Sequence, residues 1–196
     1  MSLPYPVKNL RKLISAMPAI SSKGAERFLA WWWQNDKKSD FGDAWQEFSK
    51  LKPCKKCFFF AKLDLCDFCL DEERDQKKIC VVSSVFDVDL IERETNYRGL
   101  YFDLGGEITG SRDFKRIEMV KARIDFLKVR LKKENIEELI LANDFDSKGE
   151  ATALFLKENL KEYCGKITRL GKGFGSGDLI TYSDPTTLRK AFENRS

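Results

Sequence analysis

The chain has 196 residues, 42% of them hydrophobic and 12% aromatic, with five prolines and a formal charge of +4. That is enough apolar surface for one or two domains with cores of their own, and it excludes a disordered chain. No apolar run approaches the ~20 residues that cross a bilayer, and the first residues lack the apolar region of a secretory signal, so a soluble, cytoplasmic protein is expected.

Residues 1 to 53 hold nine Lys/Arg against five Asp/Glu. The remainder is neutral on balance, so any contact with a polyanion is expected at the N-terminal end. Charge alone is also what a solvated face would show. Val7, Leu10, Ile14 and Met17 share one helical face, "PAISSKG" follows, and Ala25 to Trp33 make a second apolar stretch. This pattern predicts two short helices joined by a tight turn. Trp31 to Trp33 cover about 200° of helical arc, more than the ~100° stripe that a core needs. At least one indole should therefore face something else, a subunit contact first and a DNA surface second, or simply solvent. Phe41, Ala44, Trp45, Phe48 and Leu51 predict a third helix from about Asp40 to Leu51.

"CKKCFFFAKLDLCDFC" follows, with Cys54, Cys57, Cys66 and Cys69 as two C-x₂-C pairs eight residues apart. Without a secretory signal, paired cysteines point to metal rather than to disulfides. Four thiolates suit tetrahedral Zn²⁺ with no position open for chemistry, so the site would be structural. Lys55 and Lys56, inside the first knuckle, are expected to offset its charge. Cys80 and Cys164 fit small core or surface positions.

From Ile79 the pattern alternates: a strand "ICVVSS", a helix over 85–94, a strand "GLYFDL", a helix over about 114–133, "ELILAN", a helix from about Lys148, and "KITRL". Short apolar strands between amphipathic helices predict βαβ units, an α/β fold with a helix-covered parallel sheet. "GKGFGSGD" has no Gly-Lys-Ser/Thr at phosphate-loop spacing and reads as a turning loop. "SDPTTLRKAF" predicts a last helix with Asp184 as N-cap and Pro185 in its first turn.

In "NDFDSKGEA", Ser147 and Glu150 have the spacing of a capping box. Asp144 and Asp146 lie ahead of it at a strand's carboxyl end, where α/β sheets place ligands. They are an acidic pair able to hold Mg²⁺ weakly through water or to face a partner. With no side chain in the motif placed to move a proton, the loop is not expected to cut, join or copy DNA. Replacing both aspartates by alanine is expected to leave folding intact and to alter partner or DNA affinity modestly.

Taken in order, "LRKLISAMPAISSKGAERFL", the four cysteines, "YRGLYFDLGG", "GEATALFL" and "GDLITYSDPTTLRKAF" resemble the bacterial recombination mediator RecR family over essentially the whole chain. The resemblance implies a helix-hairpin-helix region over 1–53, a zinc finger over 54–78, a Toprim-like domain over 79–170 and a C-terminal segment over 171–196. It implies a non-enzymatic DNA-repair protein that forms a homo-oligomeric ring, expected as a tetramer. Such a protein acts with RecO or RecF to help load RecA on single-stranded DNA. Lys23 and Arg27 match the family's DNA-associated positions, and Lys8, Arg11 and Lys12 are neighbouring candidates for single- and double-stranded DNA. Two departures stand out. Ala19 and Ser21 replace hairpin glycines, and Ser83 and Ser84 stand where catalytic Toprim enzymes carry a glutamate. The alternative is a Mg²⁺-dependent Toprim nuclease or primase fragment.

Overall fold

The computed structural model describes residues 3–35, 38–110, 113–171, 179–182 and 184–195. Beyond Gly171, the glycine-rich loop read from the sequence lies outside the described residues. The chain divides into two compact units, Met1–Lys50 and Leu51–Ser196.

The first unit is helical: α1 (Tyr5–Ser15), α2 (Ser22–Gln34) and α3 (Lys38–Ser49). Ser21 is the N-cap of α2, accepting from the Gly24 amide at 3.1 Å, so a hydroxyl residue suits that position. Ala19 in the same turn sits at φ 62°, in the left-handed region that favours glycine. Its Cβ makes this conformation cost roughly 1–2 kcal/mol. The third helix stops at Ser49, two residues short of the apolar pattern. Leu51 continues the pattern but precedes β1 (Lys52–Pro53), which pairs antiparallel with β2 (Phe60–Ala61) around the first cysteine pair.

The second unit continues with α4 (Asp67–Leu70), β3 (Asp75–Val82), α5 (Val85–Glu94), β4 (Gly99–Asp103), α6 (Phe114–Lys133), β5 (Glu138–Ala142), α7 (Ser147–Leu160), β6 (Lys166–Arg169), a 3₁₀ turn over Ile180–Tyr182 and α8 (Pro185–Glu193). Four parallel strands lie in the order β4-β3-β5-β6. Strand β3 begins at Asp75, four residues before its apolar run, because its polar first half still pairs at the sheet's amino end.

Alternation along the strands sorts the core into two layers. Ile79, Val81, Leu100, Phe102, Leu139 and Leu141 face Val120, Ile124, Leu127 and Leu131 of α6 and Ala153, Leu156 and Leu160 of α7. Cys80, Val82, Tyr101, Ile140 and Ala142 face Val88 and Ile91 of α5 and Leu188, Ala191 and Phe192 of α8. Asp184 caps α8, as its sequence predicts, by accepting from the Thr186 and Thr187 amides. This α/β architecture brings the carboxyl ends of β3, β4 and β5 together as one edge, with Ser83, Asp103 and Asn143–Asp144 along it.

Candidate metal centre and nucleic-acid interface

The sulfur atoms of Cys54, Cys57, Cys66 and Cys69 lie within 4.8 Å of one another. Four thiolates ~2.3 Å from one Zn²⁺ stand about 3.8 Å apart along a tetrahedron's edge, so the constellation fits a single ion. Among the described residues, no other group of three or more His, Cys, Asp or Glu converges in this way.

The backbone sets up the convergence. The amides of Lys56 and Cys66 both donate to Cys54 Sγ at 3.4 Å, favouring its anionic form. Hydrogen bonding with Cys57 pulls the Cys54 thiol down to about 6 and lowers Cys66 as well, while Cys57 correspondingly holds its proton more tightly. Amides directed at sulfur stabilise negative charge at the set, the form a metal requires.

The knuckle is bonded to the sheet. The Asp103 amide donates to the Cys57 carbonyl at 2.9 Å, and Arg130 Nη1 donates to the Lys56 carbonyl at 3.0 Å. Phe58, at φ 65°, sets its ring edge-on to Phe102 and Phe126, while Phe59 packs on Phe68. The knuckle lysines also meet carboxylates: Lys55 pairs with Asp64 at 2.7 Å and Lys56 with Glu134 at 3.3 Å.

At the sheet edge the expectation of a capping box at Ser147 and Glu150 is wrong by one residue. Asp146 itself is the N-cap of α7, accepting from the Lys148 and Gly149 amides at 3.0 and 2.8 Å, and Glu150 pairs with Arg169 at 2.9 Å. The backbone carbonyl of Asp144 packs so closely on Gly149 that any Cβ there would lie 2.1 Å from its oxygen. Asp144 turns its carboxylate toward the C-terminal segment, where Oδ1 accepts from the Ile180 amide at 3.2 Å.

Sequence reasoning missed two neighbours. Asp87, 4% exposed, accepts from the Ser84 amide at 2.9 Å and from the Thr181 hydroxyl at 3.3 Å; burial pushes its carboxyl up to about 7. Its signal was an acid at the third position of a helix that begins after Ser84, a capping box the structure completes. Glu107 reaches the strand end by another route. Gly105 takes φ 73° and turns the chain back, so that Glu107 accepts from the Ser83 hydroxyl, which in turn accepts from Asn143 Nδ2 at 2.9 Å. Ser83 is thus the centre of a hydrogen-bonded chain where a glutamate was looked for. Burial also raises Asp103 and Asp144 above the usual carboxylate range.

In the helical unit, Lys8, Lys12, Lys23 and Arg27 are exposed and Arg11 is half-buried. Arg11 pairs with Glu26 at 2.9 Å, whereas Lys23 and Arg27 have no carboxylate partner among the described residues. No helix is long and apolar enough to cross a membrane among the described residues.

The Toprim domain family matches residues 77–171, which hold all of the parallel sheet but the first two residues of β3. Full-length relatives are similar too. A "Recombination protein RecR" of Rubrobacter xylanophilus is 34% identical over 193 residues, 96% of this chain and 95% of the relative. One of Thermus thermophilus is 33% identical over 196 residues, covering 100% and 98%. One of Chloroflexus aurantiacus is 36% identical over 194 residues, covering 97% and 93%. Matches that run the length of both partners, through hairpin, cysteine knuckle and sheet alike, place this chain in the RecR family of recombination proteins.

Proposed function

We propose that the chain is a non-enzymatic mediator of recombinational DNA repair that binds single- and double-stranded DNA through its helical hairpin. It acts in the cytoplasm with RecO or RecF to help load RecA, as a homo-oligomeric ring that would be a tetramer. Its working parts divide as the hairpin of residues 1–53, the finger of 54–78, the Toprim-like body of 79–170 and the C-terminal segment of 171–196. Cys54, Cys57, Cys66 and Cys69 bind one structural Zn²⁺, which closes the finger and leaves no coordination position for chemistry. Any Mg²⁺ at Asp144 and Asp146 would be held weakly, through water.

The observation that carries the DNA reading is the pair Lys23 and Arg27, exposed, one helical turn apart and without an acidic partner among the described residues. Side chains so spaced at a helix start can meet neighbouring phosphates. Lys8, Lys12 and Arg11 extend the positive surface, with Arg11 the weakest contributor because Glu26 already holds it. The non-enzymatic reading draws on the sheet edge, where Asp146 caps a helix and Asp144 is engaged by the C-terminal segment.

The test is binding to several unrelated DNA sequences over a range of salt. Lys23→Glu with Arg27→Glu should weaken all alike and flatten the dependence of log K on log salt by about 0.7–0.9 per lost phosphate contact. Wild-type binding by this variant would remove the hairpin from the DNA path.

A further inference from the structure

Three consecutive tryptophans on one helix cannot share an environment. At ~100° per residue, Trp32 points between its two neighbours, which stand about 200° apart. Trp32 takes the interior place: its ring lies 4.7 Å from Phe41 and 5.8 Å from Phe28, on the same side of α2 as the fully buried Ala25. Trp31 and Trp33 are left on opposite flanks, 51% and 79% exposed.

Charge tells the flanks apart. Lys23, Arg27 and Trp31 follow one another at i, i+4 and i+8, each about 40° further around the helix, and so form a continuous ridge. Along it two cations with no carboxylate partner among the described residues lead to an exposed indole one turn beyond Arg27. Trp33 lies on the other flank, where Glu26 meets Arg11 at 2.9 Å. The cations of this unit are concentrated in the hairpin: residues 1–34 hold five Lys/Arg and one Glu, whereas residues 35–50 hold three Lys and four acids. An apolar partner surface would gain from either indole alike. A polyanion would be drawn only to the ridge that carries Trp31.

We propose that Trp31 is a base-stacking platform: a single strand of DNA lies along the α2 ridge with phosphates at Lys23 and Arg27 and an unpaired base on the Trp31 indole. The ligand class follows from the chemistry. Every base has a π-face and every nucleotide a phosphate, so cations followed by an aromatic plane bind single strands without reading sequence. In a duplex the faces of the bases are already stacked, and the same ridge offers only its charges. The proposal rests on the DNA reading of the hairpin and adds to it a preference for single strands.

Full-length protein is titrated with a labelled oligothymidylate and with a duplex of equal length at several salt concentrations, and the mass of each variant in solution is measured alongside. Trp31→Ala should weaken single-strand binding about five- to ten-fold, the lower part of the range for removing one stacked base, and leave both the salt slope and duplex binding unchanged. Trp31→Phe should keep most of the affinity, whereas Trp31→Leu, which preserves apolar bulk without a π-face, should behave as alanine does. Trp33→Ala should bind as wild type. The platform is refuted if Trp31→Leu binds single strands normally, if single strand and duplex weaken together, or if the loss tracks a fall in oligomer mass, which would make Trp31 a contact between copies. Lys23→Glu with Arg27→Glu separates the two readings. If it abolishes binding while Trp31→Leu does nothing, the hairpin site stands and the platform falls; if neither variant matters, the hairpin site itself falls.

Discussion

The cysteine knuckle and the acidic loop after β5 both offer candidate ligands in a short repeat, C-x₂-C in one and D-x-D in the other, yet they fold to opposite ends. Around the knuckle, backbone amides point at sulfur, the four sulfurs converge, and Cys54 and Cys66 are pulled toward the thiolate. At the loop, the two carboxylates diverge toward separate backbone amides, and burial pushes Asp144, with its neighbours Asp87 and Asp103, toward the neutral acid. A repeat makes a metal site only where the chain directs its donors inward. A carboxylate just before a helix finds the unsatisfied amides of that helix first.

The largest effect should come from breaking the convergent side of this contrast. Four thiolates held near one point without an ion would repel, and the finger's rings would lose their support on Phe102 and Phe126. Chelation or Cys57→Ser should therefore cost several kcal/mol, seen as a fall in Tm of roughly 10 °C or more for a chain of this size. Purified protein should carry about one Zn²⁺ per chain by elemental analysis. A Cys57→Ser protein with its metal and melting temperature intact would end the structural-site reading.

The second effect tests the neutral side. With its folded pKa near 7 and an unfolded value of about 3.9, Asp87 holds a proton in the folded chain that the unfolded chain has released between those pH values. Its contribution therefore makes stability fall as pH rises through that window, with the whole penalty present above about pH 7. Asp103 and Asp144, also raised, act in the same direction. Denaturant unfolding from pH 5 to pH 8 should show a shallower decline for Asp87→Asn than for wild type. Parallel profiles would mean that Asp87 is ionised in the folded state and that the edge tolerates charge.

What could be read in advance follows the same physics. Local spacing revealed the knuckle, because two C-x₂-C pairs already define a four-donor set. Periodicity and cap signals marked all four strands of the parallel sheet and the seven described helices longer than a single turn, and α6 runs over Phe114–Lys133 as its stripe predicts. It could not reveal Glu107 at Ser83, which depends on the left-handed turn at Gly105, or Asp87 against Thr181, separated by 94 residues. Nor could spacing decide between Ser147 and Asp146 as cap, since each has an oxygen within reach of a free amide and only the backbone path chooses. The tryptophan triplet showed that one indole must face outward; which neighbour shares its flank became visible only with the pairing of Arg11 and Glu26.

The smallest effect addresses the acidic loop directly, and here the structure changes the expectation that both aspartates can be removed without cost. Asp146 supplies an oxygen to two α7 amides, so Asp146→Ala should destabilise by about 1 kcal/mol, within the ~0.5–2 kcal/mol of a lost N-cap, and lower Tm by about 2–4 °C. Asp146→Asn and Asp146→Ser, both good caps, should recover most of the loss. Asp144→Ala should cost less: it removes one acceptor from the Ile180 amide at 3.2 Å, and it also removes a carboxylate whose burial disfavours its charge. Melting each variant with and without Mg²⁺ distinguishes a cap from a ligand. A cap responds to side-chain shape and ignores the ion, so the wild type and Asp146→Asn should gain equally little from Mg²⁺. A Mg²⁺-dependent rise in Tm that is present in the wild type and absent from Asp146→Asn would show a carboxylate at work as a ligand. It would also put the acidic loop on the same footing as the cysteines.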